Sequence, residues 1–196
     1  MTAIAAQLRP VAKSEKPKKL ITLDAFTRLY TDRSDGYRYQ WNNGIVEKIP
    51  RNMNRSQLNL AWNLTRLFSN TLAYKGRGAL AWEVAMFLPT ANRNRIADLA
   101  YLTEEQLKEQ DDKTPSVSPF VIEIISKNDT AYELDEKLGQ YFDNGVQVVW
   151  QIFPKSKTVN VYTSPESVKI CRETTICSAF PVLADFDIAA ADIFGQ

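Results

Sequence analysis

The pattern that most limits the fold of this chain lies between residues 120 and 153, where two apolar runs flank an amphipathic stretch. Residues 120–125 read Phe-Val-Ile-Glu-Ile-Ile, nearly continuous in apolar side chains, as a central strand covered on both faces requires. Residues 133–144 place Leu134, Leu138, Tyr141 and Phe142 on one side of a helix, and Asn144-Gly145 stops it. Residues 146–153 form the second apolar run. Two strands joined through a helix lie parallel, because only a long crossover brings the chain back to the same end of a sheet.

The flanking segments extend that unit. Thr22 is placed to cap a short helix. Residues 37–41 and 45–49 flank Asn42-Asn43-Gly44, which predicts a hairpin. Leu58, Trp62, Leu64, Leu67, Phe68 and Leu72 recur at helical spacing, predicting one long helix over 54–74 that ends at Gly76 and Gly78. Strands are expected over 79–88 and 96–102, with Asn92-Arg93-Asn94 as the turn between them. Thr103 caps a brief helix, and a polar loop covers 110–118. A trailing hairpin over 159–162 and 168–171 and a short helix over 189–194 complete the chain. The fold class is α/β, or α+β by a stricter definition: a mixed sheet flanked by helices, preceded by a helix and a hairpin. Residues 1–19, with Lys13, Lys16, Lys18 and Lys19, read as a flexible basic arm before a single domain over 20–196.

Composition removes several kinds of chemistry. Histidine is absent, which excludes Ser-His-Asp and Cys-His catalysis and zinc sites built on imidazole. Cys171 and Cys177 are the only cysteines, too few for a zinc site, and read as reduced thiols of a cytoplasmic protein. No apolar run reaches the roughly 18 residues that suggest a membrane span. The formal charge of +1 gives no global basic field, so any nucleic-acid contact must use a local patch.

Two carboxylates stand inside runs that otherwise read as buried strands: Asp98 in 94–102 and Glu123 in 119–126. A lone buried charge there costs several kcal/mol, and two carboxylates cannot neutralise each other. A divalent cation resolves the conflict. Without histidine or a cysteine cluster its ligands must be oxygens, which favours Mg²⁺ or Mn²⁺. The main-chain carbonyl of Ile124 is a natural further ligand, and Lys137 follows on the crossover helix. Two acids, a metal and a lysine suit cleavage of a phosphodiester. Competing readings stay open: Asp98 as a turn cap or a partner of Arg93 or Arg95, and Lys137 as a stem covering the core edge. Glu47, Glu83 and the Tyr141 hydroxyl are supporting candidates, although strand alternation or core packing explains each as well. Arg51, Asn52, Asn54 and Arg55 lie where the hairpin enters the long helix, a position suited to a phosphate.

These residues resemble the PD-(D/E)xK restriction-endonuclease-like superfamily and, more narrowly, its Uma-two family. The similarity is carried by residues 39–47, 96–101, 121–126, 137–141 and 145–150, and the string from Glu123 to Trp150 is its specific part. The resemblance implies a nuclease fold, Asp98 and Glu123 as metal ligands, divalent-metal-dependent cutting of DNA, and a homodimer. The chain departs from the pattern in several places. Ala97 replaces the proline before the first acid. Ile125 stands where the superfamily has its lysine, leaving Lys137 as the replacement candidate. Gln40 replaces a common glutamate in the first hairpin, and Arg-Asn-Met-Asn replaces a common histidine before the long helix. The alternatives are a catalytically inactive module of the same fold that binds nucleic acid or a protein partner, and a domain whose cation is structural only.

Overall fold

The computed structural model describes residues 19–50, 54–109 and 116–195. Arg51, Asn52 and the basic arm up to residue 18 lie outside those residues. The chain opens with α1 (Leu23–Tyr30), capped by Thr22 as expected. The hairpin β1 (Tyr37–Asn42) and β2 (Ile45–Pro50) follows. Its turn residues Asn43 and Gly44 both have positive φ, 45° and 91°, the geometry that matches the twist of a two-residue hairpin. Next come α2 (Arg55–Phe68), α3 (Leu72–Lys75), β3 (Ala79–Leu88), β4 (Arg93–Leu102) and α4 (Glu104–Lys108). The crossover unit is β5 (Phe120–Ile124), α5 (Ala131–Asp143) and β6 (Val148–Phe153). The rest is β7 (Thr158–Ser164), β8 (Ser167–Cys171), β9 (Ile176–Ala179), β10 (Leu183–Ala189) and α6 (Ala190–Ile193).

An eight-stranded sheet runs β2-β1-β4-β5-β6-β7-β8, with β3 also paired to β4. β5 and β6 are parallel, as the crossover predicts, and the other ladders are antiparallel. β4 organises the sheet. β3 lines one of its edges from Leu102 back to Arg93. On the other edge β1 touches only at Asn42–Arg93 and β5 at Leu99–Ile122 and Ala100–Val121. Between those two contacts residues 94–98 of β4 have no ladder partner on that edge.

Two apolar layers cover the sheet. On one face α2 sets Leu60, Ala61, Leu64 and Phe68 against Ile122, Ile124, Trp150 and Ile152, with Phe186 of β10 stacked on Trp150 at 5.5 Å. On the other, α5 sets Leu138 and Tyr141 against Val121, Val149 and Met86. Each such side chain contributes about 1.5–3 kcal/mol on burial, which is what clamps the crossover helix to the strands. The β3–β4 ladder changes faces part-way along. Val84, Met86 and Ala97 belong to the α5 layer, whereas Leu80 and Leu99 belong to the α2 layer. The change falls at Glu83, whose φ is +52°, and at Asp98 opposite it, between the pairs Trp82–Leu99 and Val84–Ala97.

Several boundaries differ from expectation. The long helix is two: α2 ends at Phe68, Ser69 is its C-cap, and Thr71 caps α3. Its buried stripe is Leu60, Ala61, Leu64 and Phe68, while Leu58, Leu72 and Trp62 face outward, Trp62 at 66% exposure. The turn before β4 lies at 89–92, so Arg93 and Asn94 are buried strand residues. The β9–β10 hairpin was not legible because a register break between Leu183 and Asp187 destroys its alternation. Both cysteines are buried free thiols, and burial pushes the Cys177 thiol up. Among the described residues no helix is long and apolar enough to cross a membrane.

Candidate active site

Glu123 is the fourth residue of a strand buried along its whole length. Its two oxygens divide between two side chains of α5. Lys137 Nζ donates to Oε2 at 2.6 Å, and Tyr141 Oη donates to Oε1 at 2.6 Å. Lys137 and Tyr141 stand four apart, one above the other on the helix face. The face is fixed by Leu138 in the core and by the Thr130–Glu133 capping box that starts α5. Burial pushes the Glu123 carboxyl up; the Lys137 ammonium opposes that, and the Asp98 charge adds to it. Tyr141, enclosed and facing a carboxylate, is held well above the ordinary phenol range and remains a donor.

Asp98 lies where the β4–β5 register, continued one step from Leu99–Ile122, sets it opposite Glu123. Its Oδ2 accepts from the Ile124 N–H at 2.8 Å, tying the end of β5 to β4. Its Oδ1 faces Arg38 Nη1 at 3.9 Å, and the same nitrogen lies 3.5 Å from Glu83 Oε1. The Ile124 carbonyl accepts from Gln57 Nε2 at 3.3 Å. Gln57 is held by the α2 cap, since its Oε1 accepts from Asn54 N while Asn54 Oδ1 accepts from Gln57 N.

Of the residues singled out in the sequence, Asp98, Glu123, Ile124, Lys137, Tyr141 and Glu83 therefore share one connected cluster. Glu47 does not join it. Its carboxylate takes Arg93 at 2.7 Å and Asn42 at 2.9 Å, a cross-strand pairing that supports the hairpin. Asp98 pairs with neither Arg93 nor Arg95: Arg93 reaches Glu47 and Glu136, and Arg95 donates to Gln140 at 2.9 Å. Asn54 is the helix cap, Arg55 is exposed, and Arg51 lies outside the described residues. Arg38 and Gln57 were missed. Gln57 had a signal in the Asn-x-x-Gln spacing of a capping box. Arg38 had none, because the acids it reaches, Glu83 and Asp98, are distant from it in sequence. A hollow of about 430 Å³ lies elsewhere, lined by Phe87, Pro89, Thr90 and Asp143 among others, none of them in this cluster.

A mixed sheet with a βαβ crossover, carrying an aspartate and a glutamate on neighbouring strands and a lysine on the crossover helix, defines a nuclease-like fold. The chain belongs to the family described as "Uma2: Putative restriction endonuclease", whose pattern matches residues 23–191. The fold is similar to that of "a putative nuclease belonging to DUF820 from Anabaena variabilis ATCC 29413", with a TM-score of 0.71 at 15% identity. That likeness covers 89% of this chain and 98% of the other. No curated protein matches the chain.

Proposed function

We propose that this protein is a divalent-metal-dependent endonuclease that hydrolyses phosphodiester bonds of DNA. Membership of a family described as restriction endonucleases supports nuclease activity in general. The observation that carries the finer reading is the buried Glu123 carboxylate set opposite Asp98 on the neighbouring strand, with Lys137 at 2.6 Å from it. Among the described residues no three acids close on one point, so the donor set is two carboxylates and the Ile124 carbonyl. Glu123 and Asp98 each keep lone pairs beyond the hydrogen bonds they accept, and the donors are all oxygen. That chemistry fits Mg²⁺ or Mn²⁺. Such a cation, when bound, supplies Lewis acidity toward the phosphodiester and lowers the pKa of the attacking water.

The chain's own groups have distinct tasks. Lys137 opposes the burial that pushes Glu123 toward its protonated form, and presents an ammonium toward charge that develops on the phosphate. Tyr141 fixes the Glu123 rotamer. Gln57 and the Asp98–Ile124 bond hold the end of β5 in place, so the Ile124 carbonyl does not swing. The non-catalytic alternative has one observation in its favour: Lys137 and Tyr141 already satisfy both Glu123 oxygens. Plasmid cleavage with Mg²⁺ and Mn²⁺ separates the two readings. The nuclease reading expects a metal-dependent cut that Asp98→Asn abolishes and Lys137→Met reduces at least about a hundredfold. DNA binding with no product on any form of DNA favours the inactive module.

A further inference from the structure

We propose that Arg38 is the residue that grips the phosphodiester over the carboxylates, an assignment that rests on the nuclease reading. The argument starts from how little of its hydrogen-bonding capacity Arg38 uses. Its side chain is only 15% exposed, yet its two ion pairs, at 3.5 Å to Glu83 and 3.9 Å to Asp98, both exceed hydrogen-bond reach. Its Nε is buried and has no hydrogen-bond partner among the described residues. Arg93 and Arg95 each also leave one buried nitrogen unpaired, but each is anchored by a short bond, to Glu47 at 2.7 Å and to Gln140 at 2.9 Å. Arg38 has no such anchor among the described residues.

Position gives that spare capacity a use. Arg38 lies on β1 four residues before the Asn42–Arg93 pair, and its guanidinium reaches Asp98 and Glu83 beside the stretch of the β4 edge left unpaired between the β1 and β5 contacts. The ladder distorts at that level, with Glu83 held at positive φ, a conformation that costs a non-glycine residue about 1–3 kcal/mol. That distortion brings Glu83 to the guanidinium, so two long ion pairs aim Arg38 without consuming its fork. A planar fork with free N–H groups matches the two non-bridging oxygens of a phosphodiester. Among the described residues Arg38 faces Glu83 and Asp98, while Lys137 pairs with Glu123 on the adjoining strand. An anionic strand approaching these carboxylates needs positive charge beyond that of Lys137, which is shared with Glu123 at 2.6 Å.

The test is the salt dependence of binding of a short fluorescein-labelled duplex by fluorescence anisotropy, with Ca²⁺ replacing Mg²⁺. Arg38→Gln is expected to weaken binding about tenfold and to lower the slope of log K against log salt by about one, the signature of one lost phosphate contact. Arg38→Lys is expected to keep that slope and to lower kcat for plasmid cleavage about tenfold, because an ammonium carries the charge without the fork. A folded Arg38→Gln protein with unchanged slope and affinity overturns the proposal and leaves Asp98-dependent cleavage standing. Wild type that does not bind the duplex overturns both readings. If Arg38→Gln does not fold, unchanged kcat in Arg38→Lys overturns the proposal.

Discussion

A buried carboxylate that is pushed toward its protonated form is the residue-scale fact from which the account follows. Because burial raises the Glu123 pKa above the ordinary glutamate value, the folded state holds this proton more tightly than the unfolded state does. The contribution of this group to metal-free stability is therefore greatest in acid and is lost as pH rises through the folded pKa. Lys137→Met removes the ammonium paired with that charge. It is expected to destabilise the protein by about 2 kcal/mol at pH 8 and by progressively less toward acid pH, read by urea denaturation across pH. The figure sits below that for a fully enclosed pair because Lys137 is 20% exposed. Asp98→Asn keeps a side-chain oxygen for the Ile124 N–H, whereas Asp98→Ala strands that donor at a cost of about 1–3 kcal/mol. Asn is thus the cleaner activity variant, expected to fold with a wild-type Tm in metal-free buffer and to lack cleavage.

Among the elements, α2 and α5 position the site through their N-terminal capping boxes. Asn54→Ala is expected to cost about 1 kcal/mol through loss of the cap. It should also free Gln57 from its fixed orientation, so that activity falls by more than stability explains; urea denaturation and cleavage rates on the same preparations check this. The crossover unit was legible because its strands are apolar throughout and its helix carries a clear stripe, which left Glu123 visible as the exception. The hairpin was legible from Asn43-Gly44. The α2 stripe was misread because apolar residues occur all around that helix, and spacing alone does not choose between Leu58–Trp62 and Leu60–Leu64. Arg93 and Asn94 were read as turn residues because their polarity is satisfied by partners distant in sequence, such as Glu47. Asp98, Glu123 and Lys137 were recognised as candidates from strand pattern and helix position. The placement of Arg38 and Gln57 depends on a strand-to-strand approach and a helix-to-strand contact, neither of which the local sequence encodes.

At the scale of the whole molecule, β4 joins the N-terminal hairpin, β3 and the crossover unit, and the acids lie where those parts meet. A cation there would cross-link the β4 and β5 strands in the folded state and bind the unfolded chain weakly. Mg²⁺ at about a hundred times its Kd is therefore expected to stabilise the protein by about 2.7 kcal/mol, with the effect absent in Glu123→Gln. Differential scanning calorimetry with and without Mg²⁺ reads this directly. The central claim is that Asp98 and Glu123 hold a single cation between adjacent strands. The measurement that tests it most directly is a calorimetric titration of Mn²⁺ into the wild type, Asp98→Asn and Glu123→Gln. The account predicts one ion per chain in the wild type and its loss in either variant. Binding that survives both substitutions, or a wild type that takes up no Mn²⁺, contradicts it.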